Sequence, residues 1–309
     1  MDINSILPKL ESRKDIDVRL YFTRKKNNNT YISYSPSISP DLQSDLLGIV
    51  KTALHDVKDK EQRTFNPIGS LDDCIENCKV SDVANIEEIL FSTSEDFVVR
   101  KPLTVNEISK LSFYCLKITI TYENDVDNPE ELVVFRRVKK FNRLKKGIIG
   151  QFIEGDFEKL QSDLLGIDSD IDVVIFNDDV LVINHISLER IFSLRDQYID
   201  KATHTLDIVK GANKISNFEQ FREDCLNDGR VIRALTKILD DEARIQQCFE
   251  NFDNVIEVVN IFELDIRFEV DNNALIYEDK SQLLDITRLI RDSFYRTLIN
   301  KREGIDEGV

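Results

Sequence analysis

Apolar positions alternate with polar ones at Val18, Leu20 and Phe22, stop at the turn-rich Lys26-Asn27-Asn28-Asn29, and resume an extended pattern from Tyr31 to Tyr34. This predicts an opening β-hairpin. The period then changes. Leu42, Leu46, Leu47, Val50 and Leu54 recur at three- and four-residue intervals behind Ser39-Pro40-Asp41, predicting a helix that the charged run HDVKDKEQR closes. Over residues 63–100 no period is sustained and Asn66-Pro67-Ile68-Gly69 reads as a turn, so loops with one or two short helices are expected. LSFYCLKITITYE, residues 111–123, is rich in β-branched and aromatic residues. Asn124 to Pro129 breaks it before Leu132 to Val138, which predicts a second hairpin.

Beyond residue 150 the pattern sharpens. QFIEGDFEKL leads to IDVVIFND, an Asn177-Asp178-Asp179 turn, and VLVIN as the returning strand. Ser187 is placed to cap the next element, one helix or two in succession, with apolar spacing at Leu188, Ile191, Phe192, Tyr198, Ile199, Ala202, Leu206 and Val209. Three helices are expected over 217–227, 229–240 and 241–252. A last hairpin comes after them, LDIRFEV and ALIYED about Asp271-Asn272-Asn273. The chain then ends in a long helix over 281–301, with Leu284, Ile286, Ile290, Phe294 and Leu298 on its apolar face.

These elements predict an α+β fold of mixed antiparallel hairpins with packed helices, and a helix-rich C-terminal half. Texture places a boundary near 145, separating an N-terminal α+β region, 1–145, from a C-terminal α+β region, 146–309. One continuous domain fits the pattern equally well, because no repeat, linker or low-complexity tract marks a break.

Composition narrows the class. The chain has 309 residues and is 41% hydrophobic, sufficient to fill a core without metal or disulfide. No run nears the roughly 18–20 apolar residues that cross a bilayer. The start MDINSILPKLESRKD has neither a basic n-region nor an apolar h-region, so a cytoplasmic protein with no direct membrane insertion is expected. Five cysteines, at 74, 78, 115, 225 and 248, are odd in number and scattered, unlike a secreted disulfide framework. The formal charge of −16 opposes general adhesion to nucleic acid, which gives weight to any local basic segment.

One such segment stands out. RRVKKFNRLKKG, residues 136–147, holds Arg136, Arg137, Lys139, Lys140, Arg143, Lys145 and Lys146 with no acidic residue and with Phe141 among them. It is the candidate DNA-binding strip, made for phosphate contacts whose strength falls with salt. The bland reading is a solvated strand edge guarded by lysines. Arg288, Arg291, Arg296, Lys301 and Arg302 form a weaker set, and Arg24, Lys25 and Lys26 read as turn residues.

The carboxylates Asp168, Asp170, Asp172, Asp178, Asp179 and Glu189 crowd the central hairpin. Asp172, Asp179 and Glu189 are the residues a metal-dependent nuclease would use, but no acidic-x-Lys triplet accompanies them, and a polar turn is the better reading. Cys74 and Cys78 have no second pair to complete a zinc set. His55, His185 and His204 lack a partnered nucleophile, and neither a P-loop nor a G-x-G-x-x-G pattern occurs. No catalytic residue, metal site or cofactor is therefore assigned. A non-enzymatic binding protein is expected, with a nuclease and a protein-only scaffold or adaptor as alternatives.

The stretch IDVVIFNDDVLVINHISLERIFSLRDQYIDKATHTLDIV, residues 171–209, resembles the KwaB family, the soluble component of the Kiwa anti-phage defence system. The likeness lies in an acidic lead-in, a hairpin with an Asn-Asp turn, an Asn before a Phe/Glu-rich helix start, and a Tyr-containing helix, and it extends over roughly 130–300. The resemblance implies a DNA-engaging effector that forms homodimers and acts non-catalytically on phage DNA with a membrane-embedded partner, KwaA. It implies a place at the inner membrane face, held there by that partner. It carries no site residue with it.

Overall fold

The segment from Phe113 to Tyr122 carries apolar side chains on both faces, and the fold uses both. The computed structural model describes residues 3–12, 15–26, 30–70, 73–101, 103–122, 125–139, 150–153, 156–159, 165–269 and 271–308. By its contacts the chain divides after Leu194 into two compact units, a short segment after Phe65 grouping with the second. The division falls there rather than near 145 because the strands beyond residue 170 complete the first unit's sheet.

In the first unit, β1 (Asp15–Lys25), β2 (Tyr31–Tyr34), β3 (Glu61–Thr64), β4 (Cys74–Lys79), β5 (Phe113–Tyr122), β6 (Asp125–Arg137), β9 (Val173–Phe176) and β10 (Asp179–Val182) form one sheet ordered β2-β1-β5-β6-β9-β10-β4-β3. All neighbours are antiparallel except β3 and β4. β7 (Gly150–Ile153) and β8 (Asp156–Lys159) pair separately. Even-numbered residues of β5, Tyr114, Leu116, Ile118 and Ile120, join a core with α1 (Ile3–Glu11) and α2 (Pro40–Val57). Ser39 caps α2 through Oγ, which accepts from Leu42 N at 3.3 Å.

The opposite face belongs to odd-numbered residues. Phe113, Phe135 and Phe192 stack edge-on in series, with centroids 5.9 and 5.2 Å apart. A buried hydroxyl chain, Thr23–Ser33–Ser92, ties this face to α3 (Ile86–Ser92) at 2.8 and 2.7 Å. A one-turn helix, α4 (Val105–Ile108), precedes β5. α5 (His185–Ile191) leaves β10 under Asn184, whose Oδ1 accepts from Ser187 N at 2.9 Å. The cap is thus Asn184, not Ser187, because Asn184 is the residue that stays extended while Ser187 is already inside the first turn. Residues 63–100 hold strand segments that the sequence hid, since β3 and β4 are short and polar.

The second unit contains α6 (Arg195–Ala212), α7 (Phe218–Asn227), α8 (Gly229–Ile238), α9 (Ala243–Glu250), α10 (Phe252–Ile261) and α11 (Leu283–Ile290). Val231, Ile232, Leu235 and Ile238 of α8 are buried among them. β11 (Ile215–Ser216), β12 (Arg267–Glu269) and β13 (Ala274–Ile276) form a small sheet ordered β11-β13-β12. The expected helix over 281–301 ends at Ile290 instead. Asp292 enters the left-handed region at φ 55°, its N–H and that of Ser293 return to the carbonyls of Leu289 and Arg288, and β14 (Phe294–Arg296) pairs with β15 (Glu303–Ile305). The α+β class with a helix-rich C-terminal half holds.

Candidate nucleic-acid interface

Arg136 and Arg137 are consecutive on a strand, so their side chains point to opposite faces of the sheet. Arg136 enters the side held by α1 and α2 and is only 3% exposed. Its Nε and Nη2 donate to the two carboxylate oxygens of Asp168, each at 2.8 Å. Nη2 also donates to Asp170 at 2.5 Å, and Nη1 donates to Asp172 at 2.9 Å. Asp172 is fully buried, and its second oxygen accepts the Arg137 N–H at 2.7 Å. Tyr114 Oη donates to Asp168 at 3.2 Å. Burial pushes the Asp168 carboxyl up, yet the hydrogen bonds and charge of Arg136 outweigh this and hold it below its ordinary value.

This cluster removes Arg136 from the expected DNA-binding strip. Its donors serve internal carboxylates because a guanidinium at this depth must be neutralised. The same cluster accounts for three of the acidic residues crowding the central hairpin. Of the others, Asp179 accepts from Lys79 Nζ at 2.6 Å and Glu189 lies beside His185. Among the described residues no group of three His, Cys, Asp or Glu side chains is placed to hold a metal ion.

Arg137 turns to the face covered by α5. Its Nη1 is buried without a hydrogen-bond partner, and burial first, then the nearby Arg190 guanidinium, lower its pKa from the ordinary value. Arg190, in the last turn of α5, is exposed. Neither arginine side chain is in an ion pair among the described residues. The Ser187 hydroxyl, on the same helix, is also buried without a partner. Lys25, across the sheet end, donates to Ser193 Oγ at 2.6 Å, a neutral acceptor that leaves its charge unbalanced. Lys139 comes two residues after Arg137 and is half-buried. Lys140, Arg143, Lys145 and Lys146 lie outside the described residues. Arg190 was not legible as a member of this group, because a basic residue in a helix's last turn is ordinary and only the packing of α5 on β6 brings it near.

His185 occupies a separate position at the start of α5. Nδ1–H donates to Glu76 Oε2 at 2.8 Å, Glu189 Oε1 lies 3.6 Å from Nε2, and the Phe65 ring stacks on the imidazole at 4.9 Å. Burial opposes its charge, but the hydrogen bonds and charges of Glu189 and Glu76 raise its pKa to about 9. It is a clamped imidazolium, with both ring nitrogens directed at carboxylates. The other histidines lie outside this group, His55 beside Lys58 and His204 beside Glu242. Cys78 is pushed up to about 12 by burial first and nearby acids second, which keeps it a thiol.

A family model described as Kiwa protein KwaB-like matches residues 106–300, from just before β5 into the hairpin of β14 and β15. No curated protein and no solved structure matches the chain.

Proposed function

The chain belongs to the KwaB-like family of the Kiwa anti-phage defence system, and from that membership we propose that it is a DNA-binding effector acting non-catalytically on phage DNA. In this reading it works with the membrane-embedded partner KwaA at the inner membrane face, as a homodimer or higher assembly, without a cofactor of its own. The absence of any helix long and apolar enough to cross a membrane, among the described residues, fits a division in which the partner supplies the span.

The observation that carries the DNA reading is the convergence of Arg137 and Arg190, two guanidiniums in no ion pair among the described residues and only partly offset by the nearby Asp172 carboxylate, at the point where the chain enters the basic run to Lys146. Like charges brought together this way are costly unless an anion joins them. A phosphate supplies acceptors for the orphaned Arg137 Nη1, and successive phosphates would be met by Lys139, Lys140, Arg143, Lys145 and Lys146. The acidic remainder of the molecule would keep DNA to this one strip. Such contacts bind the backbone and read no sequence.

Fluorescence anisotropy with labelled duplex across a salt series, Mg²⁺ present and the DNA checked on a gel, tests this. The triple variant R137A/K139A/R190A should weaken binding by roughly tenfold or more, equally for unrelated sequences, and flatten the log–log salt slope by about 2 to 3. Arg136 is left intact, since its loss would disturb the fold. Unchanged affinity removes the strip from the site. DNA cut in the presence of Mg²⁺ would instead favour a nuclease, and no binding at low salt a protein-only scaffold.

A further inference from the structure

The hairpin of β14 and β15 exposes aliphatic surface where its surroundings give no reason for it. Leu298 is 87% exposed and Ile299 92% exposed, side by side at the apex of the connecting loop, with Tyr295 on the adjoining strand 52% exposed. Isolated apolar residues are common on surfaces, but adjacent aliphatics at a hairpin tip are not.

The loop is closed by its own hydrogen bonds. Thr297 N–H donates to the Arg302 carbonyl at 2.8 Å, Lys301 N–H to the Thr297 carbonyl at 3.0 Å, and Arg302 N–H to Thr297 Oγ1 at 2.9 Å. Lys301 takes a left-handed φ of 53° to complete the turn. The tip TLINKR contains two cations and no acid, in a chain of net charge −16. Lys301 and Arg302 are exposed and in no ion pair among the described residues, whereas Arg296 below them is held by Glu303 at 2.5 Å.

Each feature narrows the occupant. The apex is convex and narrow, and two side chains fall far short of the roughly 800 Å² per partner that a stable protein interface buries. Aliphatic side chains near an aromatic phenol and followed by two unpaired cations match an interfacial membrane contact, which combines shallow apolar burial with attraction to anionic headgroups. We propose that this hairpin is a peripheral contact for an anionic lipid bilayer. Leu298 and Ile299 enter the boundary between headgroups and acyl chains, Tyr295 lies at headgroup level, and Lys301 and Arg302 meet lipid phosphates. This goes beyond the expectation of a protein with no membrane insertion of its own, and it stands independently of the DNA reading.

Co-sedimentation of the full chain with phosphatidylcholine vesicles, with and without phosphatidylglycerol, tests the proposal in the absence of any partner protein. The chain should pellet with the anionic vesicles only, and salt should release it. L298D/I299D and K301E/R302E should each lower the bound fraction roughly tenfold. All four side chains are exposed, so the thermal melts should not move. The chain has no Trp. The single tryptophan of I299W therefore reports burial directly, and its emission should shift to the blue on anionic vesicles. Three results overturn the proposal: no pelleting of the unaltered chain, pelleting that survives L298D/I299D, or pelleting of I299W without a spectral shift. Loss of a protein–protein contact in L298D/I299D with no vesicle binding would also overturn it, and would assign the tip to a protein pocket.

Discussion

Two adjacent arginines on β6 have opposite physical situations, and the distinction predicts opposite phenotypes. Arg136 balances buried Asp172 and half-buried Asp168, so Arg136→Ala leaves Asp172 without its ion-pair partner and Asp168 with only the more distant charge of Lys139. Breaking a buried pair from one side costs about 3–5 kcal/mol. Urea denaturation of R136A should show a loss of that order. Arg137 instead faces Arg190, and R190A, removing an exposed charge of the same sign, should stay within about 0.5 kcal/mol of the parent. Equal stability of R136A and R190A would show that the carboxylates relax to solvent and that the cluster is not structural.

The hairpin of β9 and β10 lies in the middle of the sheet, and its two-residue turn sets the register for β6 on one side and β4 on the other. Asn177, first in that turn, adopts φ 54°. Asparagine enters the left-handed region more readily than other side chains, and only glycine does so without cost. Asn177→Gly should therefore be neutral or slightly stabilising, while Asn177→Val should cost about 1–2 kcal/mol through the clash of its branched Cβ with the carbonyl. Thermal melts of the two variants give the comparison, and a neutral valine would mean that the turn can adopt another type. A similar left-handed residue, Asp292, lies just past α11, which is why the apolar spacing through Phe294 and Leu298 did not become helix.

At the scale of the whole molecule, one pH response comes from His185, which joins β4 to α5 by way of Glu76 and Glu189. Its pKa in the fold, about 9, exceeds the ordinary 6.5, so the folded state holds the proton more tightly than the unfolded chain does. That stabilisation is fully present below pH 6.5 and is lost as pH rises through 9. His185→Gln keeps a hydrogen bond to Glu76 but has no charge to lose. Melting temperatures across pH should show the largest gap between parent and H185Q on the acid side, closing above pH 9. A gap of constant size would indicate a packing role for the ring, through its stack on Phe65, and no electrostatic one.

Pattern along the chain was enough to establish the elements with a sustained period or a cap chemistry: the first hairpin, α2 behind Ser39, the β5–β6 and β9–β10 pairs, and most of the C-terminal helices. These are local properties, fixed by side-chain spacing and by what Ser, Asn and Pro do to a nearby backbone. The basic run from Arg136 to Lys146 in an acidic chain was equally plain. Which of those charges are neutralised inside depended on the assembled sheet. Alternation along β6 sends Arg136 to Asp168, Asp170 and Asp172, and sends Arg137 to Arg190, a residue far along the chain. Glu76, on a strand too short and polar to recognise, acquired meaning only when sheet order put it against His185. The exposure of Leu298 and Ile299 was hidden for the converse reason. Their spacing suits a helix face, and whether an apolar residue is buried depends on where the chain turns and on what then lies beside it.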